Sequence, residues 1–110
     1  MKVDFKVEIK DMDGNIIRED SKINQEQIVV EPGTGNAIFL NTLFSSILVG
    51  DSHKDSGLDP LDVYDWGLEL RKTGVIDIPP SAVDNVKKFI KTSDKLPVST
   101  KGQLLKCFKE

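Results

Sequence analysis

The chain has one cysteine and one histidine, and it lacks a long apolar run, an internal repeat or a low-complexity segment. Each shortage excludes something. Cys107 alone permits no internal disulfide and fits a reducing compartment. No stretch approaches the roughly 20 apolar residues that cross a bilayer, and the N-terminus alternates charge with hydrophobe where a signal peptide carries a continuous apolar segment. His53 is the only histidine, so a Ser-His-Asp or Cys-His arrangement has to use it, and no serine or cysteine near it carries a catalytic context. Positive charge is short as well. With a net charge of −3, the overall field repels nucleic acid and anionic lipid.

What is present suits one domain. A length of 110 residues with 38% hydrophobic and 30% charged content is enough to bury a core without a metal or a disulfide framework. Val3, Phe5, Val7 and Ile9 alternate with Lys2, Asp4, Lys6, Glu8 and Lys10, followed by Asp13-Gly14. The pattern predicts a half-buried strand to about Lys10, a hairpin turn to Asn15, and a return through Ile16, Ile17 and Arg18. Ile28, Val29 and Val30, ended by Pro32, make either a third short strand or an extended lead into the next helix.

Helical spacing takes over from there. Ala37, Leu40, Leu43, Phe44 and Ile47 predict a core helix over 36–49, with Gly50 as its C-terminal cap. Residues 50–58 read as a mobile surface loop. Asp59 is placed to cap a second helix with Pro60 first and Asp62 in the first turn, running to about Thr73 and stopping at Gly74. Leu61, Tyr64 and Leu68, with Trp66 and Leu70, supply its apolar side. Val75 to Ile78 is a short extended link. Ser81 is positioned to cap a third helix whose buried stripe is Val83, Val86, Phe89 and Ile90, and Ser99 to start a last one using Leu104, Leu105 and Phe108. The fold class is α+β: an N-terminal β-hairpin packed on about four helices, one domain over 1–110 with a hairpin region at 1–31 and a helical region at 36–110.

Several fragments imitate functional motifs. Glu31 to Ala37 resembles the end of a phosphate-binding loop, but Asn36 and Ala37 stand where lysine and Ser/Thr are needed. Asp11, Asp13 and Asn15 resemble the start of a calcium loop, yet the glycine is one place early and the flanks are strands. Asp51, His53 and Asp55 lack the second histidine or thiol that completes a metal shell. Asp59, Asp62 and Asp65 run along an exposed helix side, where capping and solubility suit them better than acid–base chemistry. Lys87, Lys88, Lys91 and Lys95, with Lys101, Lys106 and Lys109, read first as solvated faces and otherwise as a nucleic-acid contact. No catalytic, cofactor or metal residue emerges, and an enzyme is not expected.

The order of segments carries one resemblance. The DG-turn hairpin, the apolar helix containing Asn41-Thr-Leu-Phe44, the polar loop and the helix with Tyr64 and Leu68 ending at Lys72-Thr-Gly74 form its first half. The Val75-Ile-Asp-Ile78 link, a helix and a closing Gly102-Gln-Leu-Leu105 form its second. This order resembles small accessory proteins encoded by tailed bacteriophages and prophages, most without an assigned function; the stretch from Ser21 to Thr34 is longer than their pattern. The resemblance implies action in a bacterial cytoplasm and supplies no catalytic residues.

The expected function is therefore protein binding: a module that modulates a host enzyme or defence complex, or a phage assembly or virion factor, with no cofactor and no membrane. Candidate surfaces are the open hairpin edge, which also allows a homodimer, and the acidic loop with its neighbouring helix. Tyr64 and Trp66 are the anchor candidates where exposed, beside Asp59, Asp62 and Asp65. The ordinary place for Trp66 is the core.

Overall fold

The alternating N-terminal pattern does make a strand, but a short one. The computed structural model, which describes residues 1–108, contains β1 (Lys2–Asp4), β2 (Lys22–Ile23), β3 (Val29–Glu31), α1 (Leu40–Gly50), α2 (Pro60–Lys72), β4 (Val75–Asp77), α3 (Pro80–Thr92) and α4 (Val98–Lys106). β1 pairs antiparallel with β4, Val3 opposite Ile76, so the link expected at 75–78 is the partner strand. The extended chain breaks at Lys6. There the Val7 N–H closes back on the Phe5 carbonyl at 2.8 Å, a three-residue turn that takes Val7 out of the alternation. Phe5 and Ile9 are buried while Val7 is 43% exposed.

Beyond that turn the hairpin forms as expected around Asp13-Gly14, with Lys10 opposite Ile16 and Gly14 at φ +86°. Its two arms then admit a third segment. The Ile9 N–H donates to the Ile38 carbonyl (2.8 Å), the Ile38 N–H to Ile17 (3.0 Å) and the Ile17 N–H to Ile9 (2.9 Å). The three peptides close a ring, so each pair of segments meets at a single bridge and no regular ladder forms. Because 36–39 are spent on this junction, with Phe39 opposite Glu8 and Ala37 opposite Arg18, α1 starts at Leu40 and not at Asn36. The β-branched run before Pro32 is a strand: β3 pairs with β2 in a separate two-stranded ribbon.

The helices follow their local signals with three exceptions, one of them α4, which begins at Val98 behind Pro97 and not at Ser99. Asp59 caps α2 by accepting from the Leu61 N–H at 2.8 Å, and Pro60 occupies the first position, where its missing N–H costs nothing. Gly74, at φ +81°, ends α2 in a left-handed conformation that suits glycine. At α3 the expected cap Ser81 lies inside the first turn; Pro79 holds the cap position and no side chain caps the helix. Pro80 lacks one of the donors that a cap would satisfy. Gly50 is the last residue of α1, and Asp51 is its extended C-cap.

The core joins the two halves. Phe5 packs against Phe44 of α1 at 4.9 Å between ring centroids and edge-on against Phe108 at 5.6 Å. Leu40, Leu48, Leu70, Ile78, Ile90 and Leu104 are fully buried around them, each contributing about 1.5–3 kcal/mol of transfer free energy. α1 and α2 approach so closely that a Cβ on Gly67 would press on Val49. Across this contact Ser45 Oγ donates to the Gly67 carbonyl (2.9 Å) and Asn41 Nδ2 to that of Leu70 (2.8 Å). The second bond satisfies a last-turn carbonyl that α2 cannot pair within itself. Among the described residues, no helix is long and apolar enough to cross a membrane.

Candidate functional site

α2 carries two apolar lines, and the fold buries only one. Val63, Trp66, Gly67 and Leu70 face the core. Leu61, Tyr64 and Leu68 point outward, 75%, 60% and 51% exposed. At 3.6 residues per turn, positions 61, 64 and 68 fall on one line about 10 Å long. Their spacing in the sequence predicts a place on the apolar, buried side. They form the opposite face, and Val49 of α1, also exposed, stands beside them across Gly67. Trp66, 7% exposed, belongs to the core and offers no anchor to a partner, whereas Tyr64 is exposed.

Carboxylates border this line. Asp62, Asp65 and Glu69 are exposed along one side of it, and no basic residue occurs in α2 before Arg71 and Lys72. Arg71 Nε reaches back to Ser45 Oγ at 3.3 Å. Asp59 is engaged by the helix start. The result is a narrow apolar ridge with one acidic flank, chemically suited to an apolar surface bearing lysine or arginine.

The other fragments resolve into structural roles. The Gly33-Thr34-Gly35 loop is an anion nest already filled from within: Asp20 accepts from the Thr34 N–H (2.8 Å) and the Gly35 N–H (2.7 Å). The Thr34 contact foremost holds the Asp20 carboxyl below its usual range. Asp11 is likewise lowered, chiefly by the Val29 N–H and then by those of Asn15 and Asp13, and so ties the hairpin turn to β3. The calcium-like triplet is thus a turn organised by one carboxylate.

His53 is spent on the loop it sits in. Its Nε2 contacts the Leu48 carbonyl near the end of α1, its Nδ1 lies 2.9 Å from Ser56 Oγ, and its ring stacks on Phe89 of α3. Nothing in the sequence pattern signalled Ser56, because the contact depends on His53 adopting φ +55°. Asp51, Asp55 and Asp94 join them around an open depression of about 210 Å³. No group of three or more metal-ligating side chains is gathered among the described residues.

The lysines of α3 and α4 are dispersed: Lys88 and Lys91 are exposed, Lys87 lies 5.5 Å over the Phe108 ring, and Lys101 Nζ donates to the Lys91 carbonyl. Lys109 lies outside the described residues. No protein-family model, curated protein or solved structure matches the chain.

Proposed function

We propose that this chain is a non-catalytic protein-interaction module that engages its partner through the outer face of α2. The observation that carries the reading is the exposed line Leu61, Tyr64 and Leu68 beside Asp62, Asp65 and Glu69. A helix facing only water has no use for three large apolar side chains in register, and aromatic anchors concentrate interface energy.

The acidic flank favours a basic partner over a second copy. A two-fold pairing of α2 that sets Leu61 against Leu68 of the copy also lays acidic flank along acidic flank, and like charges oppose it. The resemblance to small phage and prophage proteins supports a partner met in a bacterial cytoplasm, a host enzyme or defence complex.

The test compares tagged wild type with a Leu61→Ser, Tyr64→Ser, Leu68→Ser variant as baits in lysate from phage-infected bacteria. Retention of a stoichiometric host protein by the wild type alone, weakening as salt rises, supports the module. Retention of a phage structural protein on the same terms moves the role to assembly. Equal retention by both baits contradicts the α2 surface.

A further inference from the structure

A second recognition site follows from backbone geometry, independently of α2. In the β1–β4 pair, the Phe5 N–H donates to the Gly74 carbonyl and the Ile78 N–H to that of Met1. Odd-numbered residues of β1 therefore turn their peptide groups toward β4. Lys2 and Asp4 turn theirs away, and among the described residues no strand lies on that side. The turn at Lys6 interrupts this edge, and beyond it Glu8 and Lys10 line the same groove as Lys2 and Asp4. The Val7 carbonyl and Ile9 N–H face the 38–40 segment, which leaves the Glu8 peptide groups outward and without a hydrogen bond among the described residues.

The next outward pair, on Lys10, is already occupied. Gln103 of α4 presents its side-chain amide to Lys10 as a neighbouring strand would, Oε1 accepting from the Lys10 N–H at 2.9 Å and Nε2 donating to the Lys10 carbonyl at 2.8 Å. α4 thus stands over the edge, closes one end of it with Gln103, and leaves between itself and β1 a groove of about 420 Å³ with Val7 and Cys107 among its lining.

We propose that this groove takes one extended peptide segment as an added strand, hydrogen-bonded to Lys2, Asp4 and Glu8. Because α4 shadows the edge, a second folded copy would have to bring its own α4 into the same space, whereas a single strand enters freely. Charge states the chemistry of the guest. The ion pairs among the described residues are Met1 with Asp77 and Lys22 with Glu31, so the Lys2, Lys10 and Lys106 ammonium groups and the Asp4 and Glu8 carboxylates that share the groove wall are not paired with one another. An antiparallel guest that stops at Gln103 fits with basic side chains opposite Glu8 and Asp4, an acidic one opposite Lys2, and an acidic end residue beside the Lys10 and Lys106 side chains.

The probe is the acetylated, amidated peptide EVKVSTKVE, titrated into isotope-labelled full-length protein and followed by backbone amide shifts. Saturable shifts at Lys2, Asp4, Glu8 and Gln103 are expected. Affinity should fall at least tenfold in Lys106→Glu, which is exposed, and in Glu8→Pro, which deletes an N–H that has no partner among the described residues. The charge-swapped peptide KVEVSTEVK should bind at least tenfold more weakly. The α2 triple-serine variant should bind EVKVSTKVE as the wild type does, which separates this site from the proposed interaction face. No saturable shift along the edge, equal binding of the two peptides, or edge shifts that grow with protein concentration without peptide would overturn it.

Discussion

α2 and α3 are both 13 residues long and both lie on the same core, yet their outer faces differ. α3 buries Val86, Phe89 and Ile90 and exposes no large apolar residue; α2 buries Val63, Trp66 and Leu70 and still exposes Leu61, Tyr64 and Leu68. The inner faces do the same work of folding. The difference lies wholly in what each offers to solvent: α3 ends in lysines and is complete as a surface helix, whereas α2 retains an apolar line that the fold does not use.

The comparison can be sharpened from inside outward. Leu70→Ala and Ile90→Ala, both at fully buried positions, should each cost about 2–5 kcal/mol in denaturant unfolding, showing that the inner faces are equivalent. Gly67→Ala should cost about 1–3 kcal/mol, because the added methyl meets Val49 where α1 and α2 touch.

On the outer faces, Leu61→Ser, Tyr64→Ser or Leu68→Ser should each leave stability within about 0.5 kcal/mol of wild type, while Tyr64→Ser weakens the captured partner by about 1–2 kcal/mol in a binding titration. Lys88→Ser with Lys91→Ser should change neither stability nor partner binding. A gel shift that those two substitutions abolish, and that weakens with salt, would instead make α3 the working surface.

The smallest effect separates the helices from the N-terminal half. Asp11 and Asp20 have carboxyls held below their usual range by backbone N–H donors. Stability from a lowered carboxyl is present above its unfolded value, about 3.9, and is lost as pH falls through the lower folded value. Acid titration followed by amide shifts should therefore loosen the 11–15 turn and the 33–35 loop, and Asp20→Asn should remove the acid dependence of the loop alone.

How much of this was legible in the sequence depended on range. Asp59, Pro60 and Gly74 act within a turn of where they stand, and the bounds of α2 could be read directly. The Asp13-Gly14 hairpin was equally local. The pairing of β1 with β4 joins residues more than 70 positions apart, and the Ile9, Ile17 and Ile38 ring requires three segments at once; no local pattern encodes either.

The faces of α2 were ambiguous for a different reason. Positions 61, 64 and 68 and positions 63, 66 and 70 each make an apolar line at helical spacing, and the elements packed on α2, α1 with Ser45, Val49 and Asn41 against Gly67 and Leu70, and β4, decide which is buried. The acidic positions 59, 62 and 65 were read correctly as exposed, but the apolar line beside them became visible only once α1 was in place.

The central claim, that the outer face of α2 is where a partner binds, is tested most directly by a photoreactive phenylalanine analogue placed at Tyr64 and, separately, at Lys91, in bacteria undergoing phage infection. A discrete cross-linked product from position 64 and none from position 91 is the predicted result. Equal cross-linking from both positions, or a product from 91 alone, would contradict it.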